Sequence, residues 1–128
     1  MSILVKDLTA LLSSEQVSTN ETVLHQHGQD ESYHEVAEPE VVVFPKNTEE
    51  VSAILRYANE HRIPVTPYGR GSSLEAHVIP YSGGMTIDFS LMNRILEIRP
   101  EDLLVVVEPG VSRLELNEAL AKHGLFFS

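Results

Sequence analysis

The sequence of 128 residues contains no cysteine. It can therefore build neither a disulfide framework nor a thiolate zinc site. Absent cysteine is compatible with a reducing compartment, and a cytoplasmic location is expected. No apolar run reaches the length of a membrane span. The first residues do not read as a secretion signal either, because Lys6 and Asp7 interrupt them. Positive charge is scarce: nine Lys and Arg stand against 19 Asp and Glu, a formal net charge of −10. That balance argues against a general nucleic-acid binder, which needs a basic face to neutralise phosphates. It does not exclude one buried diphosphate, whose charge can be met by oriented amides and a helix end. With 42% hydrophobic residues the chain has enough apolar side chains for a core.

What is present is organised around Pro64-Val65-Thr66-Pro67-Tyr68-Gly69-Arg70-Gly71-Ser72-Ser73-Leu74. Val65 to Pro67 reads as a short strand between two prolines, running into a turn with two glycines and two hydroxyls. Gly69 and Gly71 tolerate positive φ, so the backbone can curl into a concave nest of N–H groups that binds an anion. Ser72 and Ser73 can add hydroxyl donors. The functional reading is a loop that holds the pyrophosphate of a dinucleotide. The plain reading is a tight turn with serines facing water. Two well-known phosphate loops do not fit. No lysine follows Gly71 as a Walker A loop requires, and Leu74 stands where a G-x-G-x-x-G fingerprint needs its third glycine. The stretch from Leu74 to Gly84, with Pro80, Gly83 and Gly84, reads as irregular rather than helical.

Leu4, Leu8, Leu11 and Leu12 have helical spacing and predict a short amphipathic helix. Residues 13–20 read as caps and turns, and the whole polar arm 1–37 is expected to pack over other elements rather than form core. His25, His27 and His34 lie near Asp30, Glu31 and Glu35, so a metal-binding module must be weighed. Nothing fixes a ligand geometry, and solvated histidines with no metal are the expectation. Val41-Val42-Val43-Phe44, stopped by Pro45, predicts a strand buried on both faces. Asn47 and Glu50 form a capping-box pattern. Val51, Ile54, Leu55 and Ala58 then give an apolar stripe on a helix that ends near His61, ahead of Pro64. Strand, helix and the Val65 strand make a βαβ unit, with the two strands expected as parallel neighbours. The glycine loop leaves the carboxyl end of the second strand, where open α/β sheets place ligands. Met85 to Phe89 alternates as a half-buried strand, Arg94 to Ile98 is another, and Leu103 to Val107 reads as a buried third, together an antiparallel meander. Ser112 and Glu115 cap a last helix that turns Leu116, Ala119 and Leu120 inward and stops at Gly124. Leu125-Phe126-Phe127 then reads as an apolar strand start without a partner. The chain is expected to be part of a longer protein.

Tyr68-Gly69-Arg70-Gly71-Ser72-Ser73-Leu74-Glu75-Ala76-His77 resembles the pyrophosphate loop of the p-cresol methylhydroxylase and vanillyl-alcohol oxidase flavoproteins. The run from Gly83 to Glu97 and Val107-Glu108-Pro109-Gly110-Val111 are similar to the segments that follow it. Within the superfamily the resemblance is to the D-lactate dehydrogenases and the glycolate oxidase FAD subunit, over about residues 38–128. It implies an α+β FAD-binding domain of the p-cresol methylhydroxylase (PCMH) type, truncated: a parallel βαβ first lobe and the start of an antiparallel second lobe. It divides the chain into a helical arm at 1–37 and the incomplete domain at 38–128.

The resemblance also implies roles. Pro67, Tyr68, Gly69, Arg70, Gly71, Ser72 and Ser73 would hold the FAD pyrophosphate, with Arg70 facing solvent or its outer edge. Leu74 would anchor the loop in the core. His77 would lie toward the flavin, or cap a turn. Pro109 and Gly110 would form a second wall of the groove, or simply end a strand. Ala76 departs from the glycine of close relatives, so the loop is expected to differ locally there. The implied function is the FAD-binding portion of an oxidoreductase acting on a small 2-hydroxy acid, glycolate or D-lactate. Its expected partners are other oxidase subunits or a second copy of the chain. A later glycine-rich segment and a substrate-binding cap lie outside this sequence, so the isolated chain is expected to be inactive. The alternative is a non-catalytic subunit or truncated product serving assembly or weak nucleotide binding.

Overall fold

The computed structural model describes residues 3–31, 35–69 and 77–128. A first helix, α1 (Ile3–Leu11), is followed by a 3-10 turn at Ser14–Gln16 and a short strand, β1 (Val17–Ser18). A second helix, α2 (Glu21–Gln26), starts at Asn20, whose side chain accepts the Thr22 and Val23 N–H groups. Strand β2 (Val41–Val43), helix α3 (Thr48–His61) and strand β3 (Val65–Tyr68) follow, then strand β4 (Met85–Asp88). These strands form one sheet in the order β1-β2-β4-β3. Only β1 runs antiparallel; β2 and β3 both lie parallel to β4.

The expectation that β2 and β3 are neighbours is therefore corrected: β4 lies between them. Burial explains the order. All four residues of β4 are buried, Met85 and Thr86 completely, so this strand needs cover on both faces and a partner on both edges. Strand β3 carries Pro67, which lacks an N–H donor and suits an edge. Met85 to Phe89 is accordingly a central parallel strand and not the half-buried start of a meander.

One sheet face, with Val41, Val43, Met85 and Ile87, packs against Leu8 of α1 and Ile54 and Ala58 of α3. Leu8 is fully buried, so the amino-terminal arm supplies core as well as cover, contrary to expectation. The Tyr57 hydroxyl donates to Asp7 at 2.7 Å and joins the two helices. Gln16 ties the arm to the sheet. Its side-chain amide donates to the Phe44 carbonyl at 3.0 Å and to the Glu50 carboxylate at 2.9 Å. Asn47 caps α3 through the Glu50 N–H, and Glu50 reaches back to the Lys46 N–H, one residue earlier than a capping box requires. The helix closes on Arg62, which takes a left-handed conformation with φ 53°.

A separate antiparallel hairpin holds β5 (Ile95–Arg99) and β6 (Leu104–Val107). At its base the Glu108 carboxylate accepts the Arg94 N–H and Nε–H, both at 2.9 Å. Those bonds hold the Glu108 carboxyl below its usual range. Strand β6 is not buried as expected: Leu104, Val106 and Val107 are exposed. A two-stranded ribbon carries no second layer of its own. Helix α4 (Arg113–Ala121) is capped by Ser112 and buries Leu116 and Leu120, with Gly124 at φ 70° after its end. The expected strand at Leu125–Phe127 does not form; instead the Asn117 side chain brackets Phe127, accepting its N–H at 2.6 Å and donating to its carbonyl at 3.1 Å. No helix of the described residues is long and apolar enough to cross a membrane.

Gly84 holds β4 in place. Its φ is 74°, its carbonyl accepts the Glu40 N–H at 2.8 Å, and a Cβ there would overlap the Pro64 carbonyl oxygen. Gly83, at φ 72°, has no described residue within 4 Å of the position a Cβ would take. Urea unfolding should show Gly84→Ala costing about 3 kcal/mol or more, and Gly83→Ala only about 1 kcal/mol.

Candidate functional site

The carboxyl ends of β3 and β4 open into a cleft of about 540 Å³. Tyr68 and Gly69 line it from β3, Asp88 and Ser90 from β4, and Gln26, His27, Gln29, Asp30 and Glu31 from the end of α2 and the chain beyond it. This is where an open parallel sheet offers a binding crevice. Gly69 has, among the described residues, nothing within 4 Å of the position a Cβ would take. It is not left-handed, however. Among the described glycines, Gly83, Gly84 and Gly124 have positive φ. The sequence argument from positive φ therefore fails at Gly69, a bend just past the end of β3.

His27, expected to be solvated, is 6% exposed. Its Nδ1 lies 2.7 Å from the Val23 carbonyl and its Nε2 lies 2.6 Å from the Asp88 carboxylate. Its ring sits 4.4 Å from that of Tyr68, tilted by 44°. Burial pulls the His27 imidazole down, but the bonds to Asp88 and Val23 outweigh it and the net shift is upward from 6.5. Burial likewise pushes Asp88 up, and the His27 and Ser90 bonds outweigh it, leaving the carboxyl below 3.8. Burial and then the charges of Asp88 and Glu31 push the Tyr68 phenol up, so it stays neutral. The pair is an imidazolium held against a carboxylate.

Among the described residues, His25 and His27 do not gather. Residues 25 and 27 lie at the end of a helix, where an i, i+2 pair diverges. His25 is exposed, 3.4 Å from Glu38. His34 lies outside the described residues, among which no group of metal-ligating side chains forms. Arg70, Gly71, Ser72, Ser73, Leu74 and Ala76 also lie outside them. Pro67 is the third residue of β3, opposite Ile87. His77 is exposed in a turn and does not line the cleft. Gly110 is buried just past β6, against the turn that follows β4: its N–H donates to the Met92 carbonyl at 2.8 Å, and a Cβ there would overlap the Phe89 carbonyl oxygen. Pro109 beside it is exposed. Sequence reasoning missed Asp88 and His27 as a couple. The available signal was a carboxylate, Asp88, closing a strand whose burial obliges it to find a partner.

A family model described as "FAD binding domain" matches residues 39–128. The chain belongs to that family. FAD is the family's cofactor, and the domain is homologous to those of flavin-dependent oxidoreductases. It is 43% identical to a mitochondrial D-lactate dehydrogenase (cytochrome) of Arabidopsis thaliana, over 97% of this chain and 22% of the relative. It is 43% identical to glycolate oxidase subunit GlcD of Bacillus subtilis, over 70% of this chain and 19% of that one. A D-2-hydroxyglutarate dehydrogenase of Stutzerimonas stutzeri is 33% identical over 97% of this chain and 27% of the relative. Among solved structures, p-cresol methylhydroxylase with substrate bound superposes at TM-score 0.75 with 25% identity, over 94% of this chain and 24% of that one. An alkyldihydroxyacetonephosphate synthase at TM-score 0.83 and 22% identity, over 94% of this chain and 24% of that one, shares the fold. The chain thus spans about a fifth to a quarter of the relatives it matches. The PCMH-type α+β architecture stands as expected, with the corrected strand order.

The His27–Asp88 couple gives this FAD-binding domain a two-sided pH dependence. The raised His27 value contributes stability that is full below 6.5 and lost as pH rises through the folded value. The lowered Asp88 value contributes stability present above 3.8 and lost as pH falls through the folded value. Urea midpoints across a pH series should fall at both ends, and Asp88→Asn should flatten both arms. Equal slopes in wild type and variant would refute the coupling.

Proposed function

We propose that this chain forms the part of a 2-hydroxy-acid oxidoreductase that holds the FAD diphosphate, with D-lactate or glycolate as substrate. The observation that carries the reading is the cleft at the end of a parallel strand, lined by Tyr68 and Gly69, within a matched FAD binding domain. A strand end fits a diphosphate, which oriented amides can hold where basic side chains are few. On this reading the backbone of Tyr68 to Ser73 and the Ser72 and Ser73 hydroxyls bind the diphosphate, Leu74 anchors them, and Arg70 stays at the outer edge. His77 lies toward the flavin, and Pro109 and Gly110 stand as the second wall.

FAD, when bound, supplies the acceptor for the electron pair removed as a 2-hydroxy acid becomes a 2-oxo acid. The part played by this chain is to bind and orient. Substrate identity follows the relatives whose names are D-lactate dehydrogenase and glycolate oxidase. The residues at 1–37 act as an arm of the domain at 38–128, and other oxidase subunits or a second copy complete the assembly. A cytoplasmic location belongs to the proposal, and cell fractionation tests it against the mitochondrial location named for the plant relative.

Flavin absorbance of the purified intact gene product tests the reading. Gly71→Val should abolish FAD retention with the fold intact. Gly69→Ala should weaken FAD binding at least tenfold while changing stability by no more than about 1 kcal/mol, since its backbone suits any residue. Normal flavin content in both variants would sink the assignment.

A further inference from the structure

His27 touches three elements where the parallel strands end. Its Nδ1 meets the Val23 carbonyl of α2 at 2.7 Å, its Nε2 meets Asp88 at the end of β4 at 2.6 Å, and its ring lies against Tyr68 at the end of β3. The edge of Phe44, just past β2, stands 6.1 Å away at 88°. A carbonyl can only accept, so Nδ1 carries a proton. Nε2 faces a carboxylate and needs a proton too, which makes the buried ring a cation. Asp88 is fixed in turn, its other oxygen accepting the Ser90 N–H at 2.8 Å.

The geometry points to His27 as a positioning residue for FAD: its charged bond to Asp88 and its ring contact with Tyr68 set where Tyr68 and Gly69 present their backbone to the diphosphate. This rests on the FAD reading above. The residue need not touch the cofactor. Tyr68 is the last residue of β3 and the register partner of Asp88. A ring packed against Tyr68 and bonded to Asp88 ties the end of β3 to the end of β4.

The groups facing His27 favour the charged form. Asp88 does so from β4, Tyr68 from β3 stays a neutral phenol, and Asp30 and Glu31 line the same cleft. Removing the Nε2 proton would set a lone pair against the Asp88 carboxylate. The ring would then turn away and Tyr68 would lose its backing.

Titration of the intact gene product with FAD, followed by flavin fluorescence from about pH 6 to about pH 9, reads this directly. Wild-type affinity should fall about tenfold as His27 loses its proton. His27→Phe keeps a ring but no proton, and should bind about tenfold more weakly at the acid end with a flat profile. Asp88→Asn should behave alike. Thermal unfolding confirms that the variants are folded at each pH. Variants with wild-type affinity and wild-type pH dependence overturn the inference. Should neither variant fold, the wild-type profile and the His27 ring 15N shifts on FAD addition decide: an affinity independent of pH with unmoved shifts overturns it. A wild type that binds no FAD at any pH refutes the FAD reading itself, whereas binding that the variants share fully refutes this inference alone.

Discussion

Burial of β4 on both faces is the constraint from which the rest of the structure follows. A strand without an exposed residue must be central, so β2 and β3 take its two edges and helices α1 and α3 close over one face. Parallel pairing aligns the carboxyl ends of all three strands. Tyr68 and Asp88 therefore arrive opposite each other in register, and the cleft opens beside them. The glycine that admits this strand, Gly84, sits at its other end against the Pro64 carbonyl.

Alternation along β4 puts Met85 and Ile87 toward the helices and Thr86 and Asp88 toward the opposite face. An acid on a buried strand end is costly unless it is paired. The pairing comes from α2, sixty-one residues earlier in the chain. The amino-terminal segment is thus joined to the cleft by charge as well as by packing. It is joined to the core through Leu8 and to the start of α3 through Gln16.

Local patterns carried much of this fold in plain sight. The Val41 run, the Asn47 cap and the Ser112 cap each depend on residues within a turn or two, and each forms as read; the stripe on α3 forms through Ile54 and Ala58, while Leu55 is exposed. Strand order did not, because nothing local distinguishes a strand that pairs with its sequence neighbour from one that admits another between. Burial of β6 was misjudged for a related reason: an apolar run shows that a strand can be covered, not what covers it. At the site, the strand end and Gly69 were legible from the Pro-Tyr-Gly succession. The histidine was not. Within its own neighbourhood His27 sits among polar residues, and its partner becomes visible only once the sheet brings Asp88 beside it.

Gly28 is buried, and a Cβ on it would press against the Ala37 carbonyl at 2.8 Å; the Ala37 N–H in turn donates to the Gly28 carbonyl at 3.0 Å. Positions 28 and 37 are therefore pinched together at a throat, and Asp30 and Glu31 stand just beyond it on the cleft. Substitutions at these two positions can alter the electrostatic character of the cleft rim without disturbing the sheet, provided the throat keeps its glycine. Such an arrangement lets the entrance diverge while the strand ends beneath it stay as they are.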